Sequence, residues 1–125
     1  MIQSIGQIML YVNNQSAAKE FWLNQLNFHL VAEEENDMGM KWIEIKPTKD
    51  SETSLVLHDK ETIAKMSPEL HLGTPSLMFY SHDFDAFYAD LASKNVTLGD
   101  IVPLPTGRIF NFADNDNNYF AVMEK

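Results

Sequence analysis

Gln7-Ile8-Met9-Leu10-Tyr11-Val12-Asn13-Asn14-Gln15-Ser16-Ala17-Ala18-Lys19-Glu20-Phe21-Trp22 runs a strand pattern straight into a helix pattern. Ile8, Leu10 and Val12 alternate with Gln7, Met9 and Tyr11, the period of a pleated strand, which the sequence extends from Ile5 to Val12. Asn13 and Asn14 are turn and N-cap residues. Ala18, Phe21, Trp22 and Leu26 then recur at helical spacing and give one apolar stripe along a helix from Gln15 to Leu26.

Short strand patterns follow. Phe28 to Ala32 reads as a strand that ends in the acidic run Glu33 to Asp37, a solvated hairpin tip closed by Met38-Gly39. Lys41 to Lys46 alternates, with Ile43 and Ile45 on one face and Trp42 and Glu44 on the other. Thr53 to His58 is a further strand, and Asp59 to Thr74 reads as a polar linker with at most one helical turn. The pattern then begins again. Ser76 to Ser81 is a strand, Asp83 an N-cap, and Phe84, Phe87, Tyr88 and Leu91 form the stripe of a second helix. Val96 to Leu104 is loop and short strand, Arg108 to Ala113 a strand, Asp114 to Asn118 a turn, and Tyr119 to Glu124 the last strand. Displacing the chain by 69 residues brings Gln7 onto Ser76, Asn14 onto Asp83, Ala18 onto Phe87 and Trp22 onto Leu91. The fold class is therefore α+β, with a βαβββ module repeated: module one about 1–59, a linker about 60–74, module two about 75–125, together one domain.

Composition narrows the function. At 125 residues one domain is expected, and 45% apolar with 22% charged residues is the balance of a globular chain. No cysteine is present, so thiol catalysis, disulfides and thiolate metal sites are excluded. Nine basic against eighteen acidic residues, a net charge of −9, disfavour nucleic acid and anionic membranes as partners. No apolar stretch has the length of a membrane span, and the first residues lack the basic flank of a signal peptide, so a cytoplasmic protein is expected.

Three stretches carry a family likeness. They are Ile8 to Asn14 followed by Ala18 and Phe21-Trp22, then Leu26-Asn27-Phe28, then Asp114-Asn115-Asp116-Asn117-Asn118-Tyr119-Phe120. In this order the chain resembles the vicinal oxygen chelate superfamily, which includes glyoxalase I, bleomycin-resistance proteins, fosfomycin-resistance enzymes and extradiol dioxygenases. Its members commonly have Leu-Gly-Phe after the first helix and a closing D-P-D-G-N turn. The resemblance implies two βαβββ modules curled into an incomplete-barrel cup, and a homodimer. It places metal ligands in the first and last strand of each module, which here are Gln7, Val56, Ser76 and Ala121. Val56 and Ala121 cannot ligate, so no metal and no cofactor are expected. A register two residues later would put His58 in place of Val56 and keeps the same face, so the pleat leaves the two open.

Pleat alternation lists the inward face that the resemblance implies: Ile5, Gln7, Met9, Tyr11, Trp42, Glu44, His58, Met78, Tyr80, Tyr119 and Met123. Such an aromatic and apolar lining suits a small organic ligand, or else fills a second core. From it the ligand-binding candidates are Gln7, Tyr11, Trp42, Glu44, His58, Met78, Tyr80, Tyr119 and Met123, with Arg108 added from a strand start. Glu44 beside Trp42 is either a tuned or cation-binding carboxylate or a solvated one near Lys41 and Lys46. Arg108 either holds an anionic group or pairs with a surface acid. No residue is assigned a catalytic role. The function expected is metal-independent binding of an apolar or aromatic molecule, as in bleomycin-resistance-like sequestration. The alternative is a metal-dependent glyoxalase-type lyase or isomerase using Gln7, His58 and Glu44.

Overall fold

The computed structural model describes residues 1–125. The chain divides into two compact units, Met1–Thr74 and Pro75–Lys125. The first contains β1 (Gln7–Val12), α1 (Gln15–Glu20), a π-helical turn (Phe21–Gln25), β2 (His29–Glu35), β3 (Lys41–Lys46), β4 (Ser54–Asp59) and α2 (Lys60–Met66). The second contains β5 (Met78–Ser81), α3 (Phe84–Ser93), β6 (Val102–Leu104), β7 (Gly107–Ala113) and β8 (Tyr119–Glu124). Each unit holds one four-stranded mixed sheet, ordered β1-β4-β3-β2 and β5-β8-β7-β6. The two orders are the same, and in each the first strand pairs parallel with the last. The α+β class and the duplicated βαβββ order expected from the sequence are both present.

In the first unit one sheet face is the core. Leu10, Val12, Ile43, Ile45, Leu55 and Leu57 are buried there, together with Ala18, Phe21, Trp22 and Leu26. Each large apolar side chain so buried contributes roughly 1.5–3 kcal/mol. Trp22 is fully buried and meets Phe28 edge-on at 5.0 Å. Asn14 caps α1 by accepting from the Ala17 amide at 3.0 Å. The Gln15 side-chain amide donates to the Lys41 carbonyl at 2.8 Å and to the Leu57 carbonyl at 3.0 Å, which ties the helix start to β3 and β4.

Several local expectations change. The helix expected from Gln15 to Leu26 is α-helical only to Glu20 and widens to a π-turn, with the Leu26 amide donating to the Phe21 carbonyl. Glu33 to Glu35 lie within β2 rather than at a hairpin tip; the turn is at Asn36 to Met40, where Asn36 Oδ1 accepts from the Met38 and Met40 amides. The segment read as a linker opens with α2, whose N-cap Asp59 accepts from the Thr62 amide and hydroxyl. None of its residues is buried, which is why it carries no apolar stripe. Asp83 stands at the N-cap of α3 but its side chain makes no capping bond.

In the second unit, Phe84 and Leu91 of α3 pack with Phe110, Phe112, Phe120 and Val122. Phe110 is ringed by Phe84 at 5.2 Å and Tyr88 at 4.9 Å.

Asn27, at φ 60°, occupies the left-handed position after the first helix, where the Phe28 amide reaches back to the Trp22 carbonyl. Glycine adopts that conformation without steric cost, which accounts for the Leu-Gly-Phe habit of the family. Asn27→Gly is expected to raise stability by up to about 0.5 kcal/mol and Asn27→Ala to lower it by about 1 kcal/mol. Urea unfolding midpoints of the two variants check the order.

Candidate functional site

The pairing register sorts side chains onto two faces of each sheet. In the first, Gln7, Met9 and Tyr11 of β1 lie beside Ser54, Val56 and His58 of β4. His58 and Val56 lie beside Trp42 and Glu44 of β3, which in turn lie beside Glu34 and Ala32 of β2. These share the face opposite the one that buries Leu10, Ile43 and Leu57. The sequence-derived candidates Gln7, Tyr11, Trp42, Glu44 and His58 are thus brought onto one surface.

Across it runs a row of rings. Tyr11 and His58 stack with centroids 5.9 Å apart and planes inclined by 26°, and Trp42 pairs with His58 on the other side. All three are half-buried. Burial lowers the His58 pKa below its ordinary 6.5, so the imidazole is neutral at pH 7. Its Nδ1 is sealed from solvent with no partner. One pleat repeat along β3, Glu44 Oε2 accepts from the Ser54 hydroxyl at 2.6 Å. Ser54 is itself buried. Lys41 is turned to the helix side, where it pairs with Glu33, and neither it nor Lys46 forms an ion pair with Glu44.

In the second sheet, Met78 and Tyr80 of β5 lie beside Ala121 and Met123 of β8, which lie beside Asn111 and Ile109 of β7. Met78, Tyr80 and Tyr119 are exposed, whereas Met123 is buried. Val102 and Leu104 extend this apolar face along β6. Arg108 does not join it. It lies with Phe110 and Phe112 on the helix-covered face, 4.9 Å over the Phe84 ring, with its guanidinium bonded to both Asp85 oxygens and both Glu124 oxygens. Its charge holds the Asp85 and Glu124 carboxyls below their ordinary range, so Arg108 ties α3 to β8.

A like network surrounds Glu33, which bonds first to Lys19 and then to Lys41 and has its pKa lowered to about 2. A carboxylate whose folded pKa is depressed stabilises the fold above its unfolded value, here near 4.5, and that contribution is lost as pH falls toward 2. The stability difference between wild type and Glu33→Gln is therefore expected to shrink between those two pH values. Urea unfolding at stepped pH reads it.

The residues do not fit the family's metal centre. Gln7 and Ser76 carry oxygen donors and Ala121 carries none, while the fourth-strand place falls either to Val56, which has no donor, or to His58 two residues on. No group of three or more His, Asp or Glu side chains converges to hold an ion. Ser54 and Glu34 are not singled out by the sequence. Their signal is the register of the β2–β3 and β3–β4 pairs, which a strand pattern alone does not give.

A profile of the Glyoxalase/Bleomycin resistance protein/Dioxygenase superfamily matches residues 4–122. The uncharacterized protein YetH of Bacillus subtilis (strain 168) is 30% identical over 125 residues, 99% of this chain and 100% of YetH. TnmS3, an antibiotic binding protein from Streptomyces sp. CB03234, superposes with a TM-score of 0.83 at 28% identity, covering 98% of this chain and 96% of TnmS3. A glyoxalase/bleomycin resistance protein from the same Streptomyces strain gives a TM-score of 0.77 at 29% identity, covering 96% of this chain and 99% of its own. No helix of the chain is long and apolar enough to cross a membrane. With the duplicated βαβββ order, the profile match places the chain in the glyoxalase/bleomycin resistance protein/dioxygenase superfamily.

Proposed function

We propose that the chain is a metal-independent binder of a small apolar or aromatic organic molecule, acting as a cytoplasmic homodimer with no nucleic-acid partner. The observation that carries the reading is the ring row Tyr11–His58–Trp42, half-buried on the sheet face opposite Leu10, Ile43 and Leu57. Flat aromatic ligands gain dispersion and offset stacking against such a row. The apolar replacements at Val56 and Ala121 support metal independence. TnmS3, described as antibiotic-binding, supports a small-molecule ligand by kinship.

A neutral aromatic probe, 3-(naphthalen-1-yl)propan-1-ol, tests this by isothermal titration calorimetry. The expected result is saturable binding with a Kd on the order of 0.1 mM, unchanged by EDTA. Absence of saturable heat, or binding that EDTA removes and zinc or nickel restores, would overturn the reading and turn attention to the lyase or isomerase alternative.

A further inference from the structure

The geometry points to a cation subsite at Glu44 that makes the ring-bearing face of the first sheet selective for aromatic amines; this rests on the aromatic-ligand reading above. Glu44 has one oxygen, Oε2, held by the Ser54 hydroxyl, and makes no ion pair. Its other oxygen, Oε1, is left without a protein partner. The hydroxyl fixes the rotamer, because Ser54 is buried on β4 and cannot follow a moving carboxylate. The charge is thus pre-aimed on a face otherwise lined by Val56, Met9 and the ring row.

The donor set selects the kind of cation. A metal ion needs three or more donors and finds one carboxylate. A guanidinium prefers to bridge both oxygens, and one is engaged. An ammonium is a compact donor and needs only the free oxygen. Glu44 and Trp42 are successive same-face positions on β3, so the charge lies about 7 Å along the strand from the rings. A primary amine three carbons from a fused aromatic ring spans that distance. The other charged groups on this face are Glu34, paired with Trp42 at the edge strand, and Lys46, one repeat beyond Glu44. His58 is neutral at pH 7 and does not repel the amine.

The test pairs the neutral naphthyl alcohol with its amine, 3-(naphthalen-1-yl)propan-1-amine, in calorimetric titrations at pH 7. The amine is expected to bind about tenfold more tightly, with the advantage falling as salt rises. Glu44→Gln, which keeps the acceptor for Ser54, should bring the affinities of the two probes within about twofold of each other. Ser54→Ala should reduce the preference several-fold by freeing the carboxylate, and Glu34→Gln should leave it intact. Equal affinity of both probes for the wild type would overturn the cation subsite while sparing the aromatic reading. Loss of the preference in Glu34→Gln rather than Glu44→Gln would overturn the assignment to Glu44. Failure of both probes to bind would remove the aromatic reading itself.

Discussion

Asp114→Ala is expected to lower the unfolding free energy by about 3 kcal/mol. Asp114 is buried at the start of the β7–β8 turn, and its Oδ1 accepts from the amides of Asp116 and Asn118, both at 2.9 Å. Its Oδ2 accepts from the Asn118 side-chain amide, and its own amide donates to the Asn118 carbonyl at 2.9 Å. Alanine leaves two turn amides without acceptors, at roughly 1–3 kcal/mol each where water does not replace the bond. Asp114→Asn keeps one acceptor oxygen and should cost only about 1 kcal/mol. Asn117, at φ 62°, stands where the family turn has glycine, so Asn117→Gly should recover about 0.5 kcal/mol. Urea unfolding of the three variants is the measurement. A cost below about 0.5 kcal/mol for Asp114→Ala would mean that this turn does not anchor the hairpin. The turn matters for function because it pins the register that places Tyr119, Ala121 and Met123 on one face of β8. A slip of one residue would present Phe120 and Val122 there instead.

That same turn shows why so much of the fold was legible. Asp and Asn side chains satisfy turn amides locally, so the turn needs no distant partner and can be read from five residues. The last strand, Tyr119 to Glu124, was accordingly read with its observed bounds. Strand faces were legible for a related reason. Ile8, Leu10 and Val12 share one side of β1, the side on which Leu10 and Val12 are buried, and that parity fixes Met9 and Tyr11 as the other face. The repeat carries this through, since Met78 and Tyr80 hold in β5 the places that Met9 and Tyr11 hold in β1.

What escaped the sequence depends on pairing. α2 has no buried residue, so nothing in its pattern marks it apart from the Asp59 cap and the helix-compatible charges Glu61 and Lys65. Glu33 to Glu35 look like a loop by composition. Lys19 and Lys41, which offset the charge of Glu33, lie on α1 and β3. Arg108 was a ligand candidate because it starts a strand; parity with Phe110 turns it to the helix side, where Asp85 and Glu124 occupy its donors. Ser54 looked like an ordinary first residue of a strand, and only the β3–β4 register sets it diagonal to Glu44.

Trp42→Ala is expected to weaken binding of the neutral naphthyl alcohol about thirtyfold, the loss typical of an aromatic anchor at the centre of a contact. Trp42 sits between His58 and Glu34 in the register of the ring-bearing face, so the ligand ring would lose its largest partner while Tyr11 and His58 keep their stack. Trp42→Phe retains an apolar ring and should lose about threefold. Stability is the second readout. Trp42 is half-buried and faces away from Ile43 and Ile45, so removing its indole should cost no more than about 1 kcal/mol, the range of a strand-surface substitution. A ring row that merely packs would give the opposite pair of results. Unfolding free energy would drop by about 3 kcal/mol or more, as for a core aromatic, and the probe would show no saturable binding to lose. Titration and urea unfolding of the same two variants therefore separate a binding surface from a second core.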